Sequence, residues 1–324
     1  MGNFLSVIFG TLFALWLCGG AASAQTCSPY PNNLTNGQPA DATQVMANFN
    51  SVLNCVNNNT RPVLTSQRIY YVRTDGNDNN NGLSNSSAGA FATIQKAWNT
   101  VTTLDLNGRS DTIIQVGAGT YNSGSQPLLS VTTCSLGGFV TLQGDTTTPS
   151  NVVLNVSAGS TSAISVSNSC TLSVAGLKIV SSVGNPFFGL YALSGYINVI
   201  GTMDFGAFGS GYHIVAKSGG RINFAQGVSY TISGGAHFHW YATGGEVLAQ
   251  ELAVTINNAP AFAGAFAYAE VVGAVICNGN TFTGSATGPR YSAVANGVIA
   301  TYTASPTYLP GSVAGSTATG GQYI

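Results

Sequence analysis

Between residues 166 and 300 the chain repeats a short apolar–polar alternation at a fixed interval. Leu172, Ile197, Ile222, Val247, Val272 and Val298 each open such an alternation, at gaps of 25, 25, 25, 25 and 26 residues. Two positions further on, Val174, Val199, Phe224, Ala249 and Ala274 make a second apolar register. Turns of small residues precede them: Ser194-Gly195, Ser218-Gly219-Gly220, Thr243-Gly244-Gly245 and Asn296-Gly297. Alternation with period two predicts strands, and a repeat of this length predicts a solenoid, propeller or array. One short strand cannot bury its own apolar face, so successive units must stack. The pattern predicts an all-β chain wound as a single-stranded parallel β-helix, one coil for each repeat.

Two stretches depart from the strand pattern. In 42–56, Val45, Met46, Phe49, Val52, Leu53 and Val56 fall at helical spacing behind Asp41 as N-cap, and Pro62 lies beyond. In 91–104, Phe91, Ile94, Ala97, Trp98 and Val101 share one helical face. That second helix sits between the strand at Ile69–Val72 and the one at Thr112–Val116. It is placed to cover the end of the first coil, which would otherwise expose apolar side chains and unpaired backbone.

Composition narrows the class. Of 324 residues, 44% are hydrophobic and only 6% charged, with 41 glycines. Roughly 25% charge is ordinary for a soluble protein, so hydroxyls and amides must solvate this surface. A net charge of −1 gives no electrostatic reason to expect nucleic acid or an anionic membrane as partner. Residues 4–18 form an apolar run followed by Ala22-Ser23-Ala24, which predicts a signal peptide over 1–24 and an exported protein, with an uncleaved anchor as the competing reading. Five cysteines then remain, an odd number. Cys27 and Cys55 flank one small segment and are the expected disulfide. Cys134 and Cys170 could meet in neighbouring coils, and Cys277 reads as a small buried residue in a strand.

Certain motifs carry a family likeness. Tyr71-Val72, Asp75-Gly76-x-Asp78, Gly82 and Phe91-x-Thr93-Ile94-Gln95-x-Ala97 resemble the opening segment of pectin-lyase-like right-handed parallel β-helix proteins. Thr281-Phe282-x-Gly284-Ser285-Ala286-Thr287-Gly288 and Tyr308-Leu309-Pro310-Gly311 resemble bacteriophage and prophage tail proteins of that fold. The segment Leu34-Thr35-Asn36-Gly37, with Ala40-Asp41-Ala42-x-Gln44-Val45-Met46, is similar to N-terminal parts of phage tail fibres. This resemblance implies a right-handed coil, a glycan partner and a homotrimer. An export signal departs from a virion tail, which assembles in the cytoplasm. The expected organisation is a signal peptide (1–24), a small head (25–67), a β-helix opening and cap (68–125), rungs (126–310) and a Gly/Ser/Thr-rich tail (311–324).

Candidate chemistry is sparse. Asp75, Asn77 and Asn79 place oxygens at alternate positions of a loop, a weak calcium site; an Asx-rich turn closed on its own backbone explains them better. Lyases and hydrolases of this fold need clustered acids, and glycoside hydrolysis needs two carboxyl groups roughly 5 to 9.5 Å apart. The coil offers Asp204, Glu246, Glu251 and Glu270. A 25-residue rung sets Arg221 beside Glu246 as an outward pair. The same period stacks Phe187, Tyr212, His237 and Phe262 in one column. With the opposite parity inward, Tyr212, His237, His239 and Tyr241 form an outer aromatic strip suited to sugar rings, flanked by Arg221 and Glu246. No third ligand accompanies His237 and His239, so no metal or other cofactor is expected. The sequence therefore reads as a non-catalytic, exported, glycan-binding or structural β-helix protein. A polysaccharide lyase or glycoside hydrolase acting on bacterial-surface or plant-type acidic polysaccharide is the alternative.

Overall fold

A computed structural model describes residues 30–39, 41–157, 161–182, 187–302 and 305–324. The predicted signal peptide and Cys27 lie outside the described residues, although Cys55 is disulfide-bonded. The chain divides into two compact units between Arg61 and Pro62. Residues 62–67 go with the second unit: Val63 bridges to Asp105, and Leu64 is buried.

The first unit holds helix α1, Ala42–Asn59, whose N-terminus is closed by Asp41 accepting from the Thr43 N–H at 2.8 Å. Asn48 exchanges two hydrogen bonds with the backbone of Asn32, at 3.0 and 2.8 Å, pinning the preceding segment to the helix. Met46, Phe49, Val52, Leu53 and Val56 remain exposed.

The second unit is a parallel β-solenoid of about eight turns, roughly 26 residues each. Each turn contributes strands to three sheets, all of whose neighbours pair in parallel. Among the described residues, sheet I has ten strands, from Ile69–Val72 to Gln322–Tyr323. Sheet II has seven, from Gly119–Asn122 to Thr281–Gly284, and sheet III has eight, from Leu129–Val131 to Ser316–Thr317. Residues 311–324, expected as a tail, continue the coil, since their two short strands pair with sheets III and I.

Helix α2, Ile94–Val101, closes the first turn with Ile94, Ala97, Trp98 and Val101 buried. Asp78 accepts from the Ala92 and Thr93 N–H groups and from the Thr93 hydroxyl, fixing where that helix begins. Gln95 pairs its carboxamide with the backbone of Ser130, donating to the carbonyl (3.2 Å) and accepting from the N–H (2.7 Å). It thereby satisfies part of the outermost strand of sheet III, which has no neighbour on that side.

The interior column of sheet I runs Leu172, Ile197, Ile222, Val247 as the period predicts, and then Val275 and Ile299. Val272, expected in that column, is 76% exposed, and Val298 pairs with Ala274 one position off it. Extra residues in the rung cause the shift: the offset grows from 24 residues at Ile232–Ile256 to 26 at Ala236–Phe262, 27 at Thr243–Glu270 after a bulge, and 28 at Glu246–Ala274. The last of them is absorbed at the corner before the strand, where Val271 and Val272 take left-handed φ of 50° and 59°. Backbone contact sets the corner: a Cβ on Gly220, Gly273 or Gly297 would collide with the carbonyl oxygen of Ala192, Ala242 or Ala269 on the preceding rung. From Ile197 onward, each column residue follows its corner glycine by two positions.

Cys134 and Cys170 are joined, with Cα atoms 4.8 Å apart and a sequence separation of 36. Closing such a loop removes up to about 4 kcal/mol of unfolded-state entropy. Cys277 is free and buried, and burial pushes its thiol up to about 12.

His239 does not lie on the outer strip. It is fully buried with His213, their Nδ1 atoms 2.9 Å apart. His213 Nε2 lies 2.7 Å from the Gly206 carbonyl oxygen and must donate to it, which leaves its Nδ1 as acceptor. His239 Nδ1–H therefore donates to His213, and His239 Nε2 accepts from the Tyr230 hydroxyl at 2.9 Å. Both rings are satisfied while neutral. A proton added to His213 sets its Nδ1–H against that of His239, and one added to His239 removes the lone pair that accepts from the Tyr230 hydroxyl.

Two predictions follow from this core. Ile222→Asp buries an unpaired charge and should cost several kcal/mol, whereas Val272→Asp should stay within about 0.5 kcal/mol of the parent; equal loss of melting temperature in both would refute the revised column. Burial also holds His213 down to about 4 and His239 well below its ordinary value. Such groups stabilise fully above the unfolded value near pH 6.5, and that stability is lost as pH falls towards 4, by about 3 kcal/mol for His213 alone. Guanidinium midpoints at pH 7 and pH 5 check this, and a His213→Gln, His239→Gln double variant should show a shallower slope.

Candidate functional site

Sheet III places its aromatic side chains on the outer face through a break in alternation. In Tyr212–Lys217, His213 and Ile214 are successive core residues, whereas Tyr212 is partly exposed and contacts the rings of Phe188, His237, Phe238 and Tyr241 outside. The strand Ala236–Thr243 repeats the arrangement, with His239 and Trp240 buried between Phe238 and Tyr241. Inside, Trp240 stacks between Ile214 and Ala267, a small residue that makes room for the indole.

The outer columns differ from those expected at a 25-residue period. Phe188, Tyr212 and Phe238 are successive partners, as are Tyr191, Val215, Tyr241 and Tyr268. Rungs here advance by 24, 26 and 27 residues, for example from Tyr191 to Val215, Tyr241 and Tyr268. Phe187 and Phe262 are not members; Phe262 is a buried partner of Ala236. His237 does lie beside Tyr212, with ring centroids 5.7 Å apart.

These residues form one continuous surface. Tyr212 lies 5.4 Å from Phe188, 5.1 Å from Phe238 and 5.3 Å from Tyr241. Phe238 stacks on Tyr268 at 4.4 Å with the planes 15° apart, and Tyr191 extends the surface from Phe188 at 4.8 Å. Except for Phe238, which is covered by its neighbours, these rings are partly exposed.

Glu270 borders this surface and accepts hydrogen bonds from the hydroxyls of Tyr241 and Tyr268. Burial and the Glu270 carboxylate together raise both phenols, Tyr268 to about 12, so each remains a donor at neutral pH. The sequence reading omitted Phe188, Phe238, Tyr268 and Glu270 from the strip. A signal for two of them was present in Tyr268-x-Glu270, which places both on one side of a strand, but a rigid 25-residue period misaligned it.

The other candidates fall elsewhere. Arg221 and Glu246 pair at 2.8 Å on adjacent strands of sheet I, beyond the corner turns and not on the sheet that carries the strip. Asp204, on sheet II, is held by Lys178 at 2.8 Å and by the Ser233 hydroxyl at 2.6 Å. It borders a polar cleft of about 340 Å³ that includes Thr148, Thr202, Thr231, Thr255 and Asn257. Glu251 accepts from Gln226. In the loop at 75–82, Asp75 takes both its hydrogen bonds from Arg73, and Asn77 accepts from the Asn79 N–H at 2.9 Å. Those oxygens are thus occupied by a turn and an ion pair. Among the described residues, no three His, Cys, Asp or Glu side chains gather as a metal site, and no helix is long and apolar enough to cross a membrane.

Set against protein-family models, curated proteins and solved structures, the chain matches none of them.

Proposed function

We propose that this is a non-catalytic β-solenoid protein that binds a surface glycan along the outer face of sheet III. The observation that carries the reading is the unbroken run of rings from Tyr191 and Phe188 through Tyr212, His237, Phe238 and Tyr241 to Tyr268. Pyranose rings present apolar C–H faces that rest on aromatic surfaces, while phenol hydroxyls meet the sugar's polar edges. Because strands lie roughly 4.8 Å apart, the rungs offer repeated contacts to a repeating polymer.

The disposition of the acids favours binding over bond cleavage. Asp204 belongs to sheet II, Glu246 to sheet I and Glu270 to sheet III, and each is already engaged by a cation or hydroxyl donor. General acid–base cleavage of a glycoside needs two carboxyl groups on either side of one bond. Three carboxylates on three faces, with Glu251 held by Gln226 beyond the strand of Glu246, do not meet that requirement.

The Cys134–Cys170 disulfide supports an exported protein, since such bonds persist in oxidising compartments. Export also fits the motifs that resemble phage-tail proteins better with a secreted relative than with a virion part. Assembly as a homotrimer is part of the same reading. Along α1, Met46, Phe49, Leu53 and Val56 are exposed at spacings of three, four and three residues, the rhythm of a coiled-coil seam.

Tyr241→Ala and Tyr212→Ala, singly and together, should weaken binding to a glycan array by about tenfold per ring, with little change in melting temperature. Binding untouched in the double variant would make the strip structural. Light scattering of the mature protein at micromolar concentration should give three times the chain mass, and a stable monomer would remove the assembly proposal.

A further inference from the structure

We infer that the strip selects electropositive sugars, those bearing an amine such as glucosamine units, over uronic acids. This rests on the glycan-binding reading above and adds to it the charge class of the ligand. Two independent features of the surface have the same sign. Aromatic rings present a negative quadrupole at their faces and attract cations placed over them. Glu270 then adds a full negative charge at the border of the same rings.

The geometry fixes that charge in place. Tyr241 and Tyr268 both donate to the Glu270 carboxylate, one to each oxygen. Each carboxylate oxygen can accept more than one hydrogen bond, so capacity remains for a ligand N–H. The field of Glu270 also reaches Tyr212, whose phenol is raised first by burial and then by that carboxylate. One carboxylate therefore acts on Tyr212, Tyr241 and Tyr268 together.

Cations nearby do not cancel it. Lys217 occupies the same outer column as Glu270, but two strands away, separated by Thr243. Arg221 is committed to Glu246 on sheet I. His237 is at the strip itself and lies edge-on to Phe238 with centroids 4.4 Å apart. A uronate lying across Tyr241 and Tyr268 would bring its carboxylate against that of Glu270, with no cation between them. An ammonium group in the same place would meet a ring face and a charge-assisted acceptor.

Calorimetry on the mature chain in low-salt buffer near neutral pH tests this, with four oligosaccharide probes of matched length. They are a glucosamine oligomer, its N-acetylated form, a cello-oligosaccharide and an oligogalacturonate. The glucosamine oligomer should bind most tightly and the oligogalacturonate most weakly. Glu270→Gln should weaken the glucosamine oligomer by about tenfold more than it weakens the cello-oligosaccharide, whose loss reads any loosening of the rings that the carboxylate holds. Added salt should reduce the glucosamine preference in the parent and not in the variant. Oligogalacturonate binding as tightly as glucosamine, or a preference that survives Glu270→Gln, would overturn the inference. If every probe binds alike and Tyr241→Ala still abolishes binding, the charge selection fails and the glycan-binding strip stands. If no probe binds, both fall.

Discussion

Every strand of the solenoid must find its backbone partners on the rung before and the rung after, at one strand spacing. That ladder is the constraint on which the rest of the molecule depends. It demands that Leu172, Ile197, Ile222, Val247, Val275 and Ile299 lie one above another, whatever the length of chain between them. Variation is therefore expelled to the turns and to one bulge. The excess before Val275 is shared among the turn that enters sheet III, a bulge in that sheet's strand and one added residue at the Val271–Val272 corner, where two β-branched residues hold a conformation that costs roughly 1 to 2 kcal/mol each. The strain is tolerated because the alternative is the loss of a ladder.

The ladder also explains how residues far apart in sequence become one surface. Residues of successive rungs, such as Tyr212, Phe238 and Tyr268, are brought to ring–ring distances of 4.4 to 5.1 Å. Their positions follow from backbone pairing, and their rotamers are narrowed by neighbouring rings and by the shared carboxylate of Glu270. A ligand finds a surface that is already ordered, which reduces the entropy lost on binding.

The sequence disclosed the architecture more readily than the register. A repeat broken by small-residue turns was enough to predict a β-helix, and the face of α2 was enough to predict a cap. What a fixed period could not supply was the length of each corner. Val272 and Val298 were misplaced for that reason, and so was the aromatic column drawn through Phe187, His237 and Phe262. The better marker was the corner glycine. Gly195, Gly220, Gly245, Gly273 and Gly297 each pass too close to the preceding rung for any Cβ, and the core residue follows two positions later. Reading from glycine to apolar residue locates Val275 and Ile299 without assuming a period. His239 was hidden for a different reason: strict alternation sends it outward with His237 and Tyr241, and the local break that turns two adjacent residues inward has no clear mark in composition.

That break connects the core to the strip. Where two consecutive residues point inward, the strand gains an extra core position, and in successive rungs that position is filled by His213 and His239. Imidazole there needs partners, and the chain from the Tyr230 hydroxyl to the Gly206 carbonyl supplies one for every nitrogen in a single proton order. A polar chain satisfied in only one arrangement resists rotation of the strand that carries it. Tyr212 and Phe238 immediately precede the two histidines, so the same hydrogen bonds that hold His213 and His239 inside hold these rings out. Acidification would weaken both together, because the proton that breaks the buried pair also releases the strands on which the outer rings are mounted.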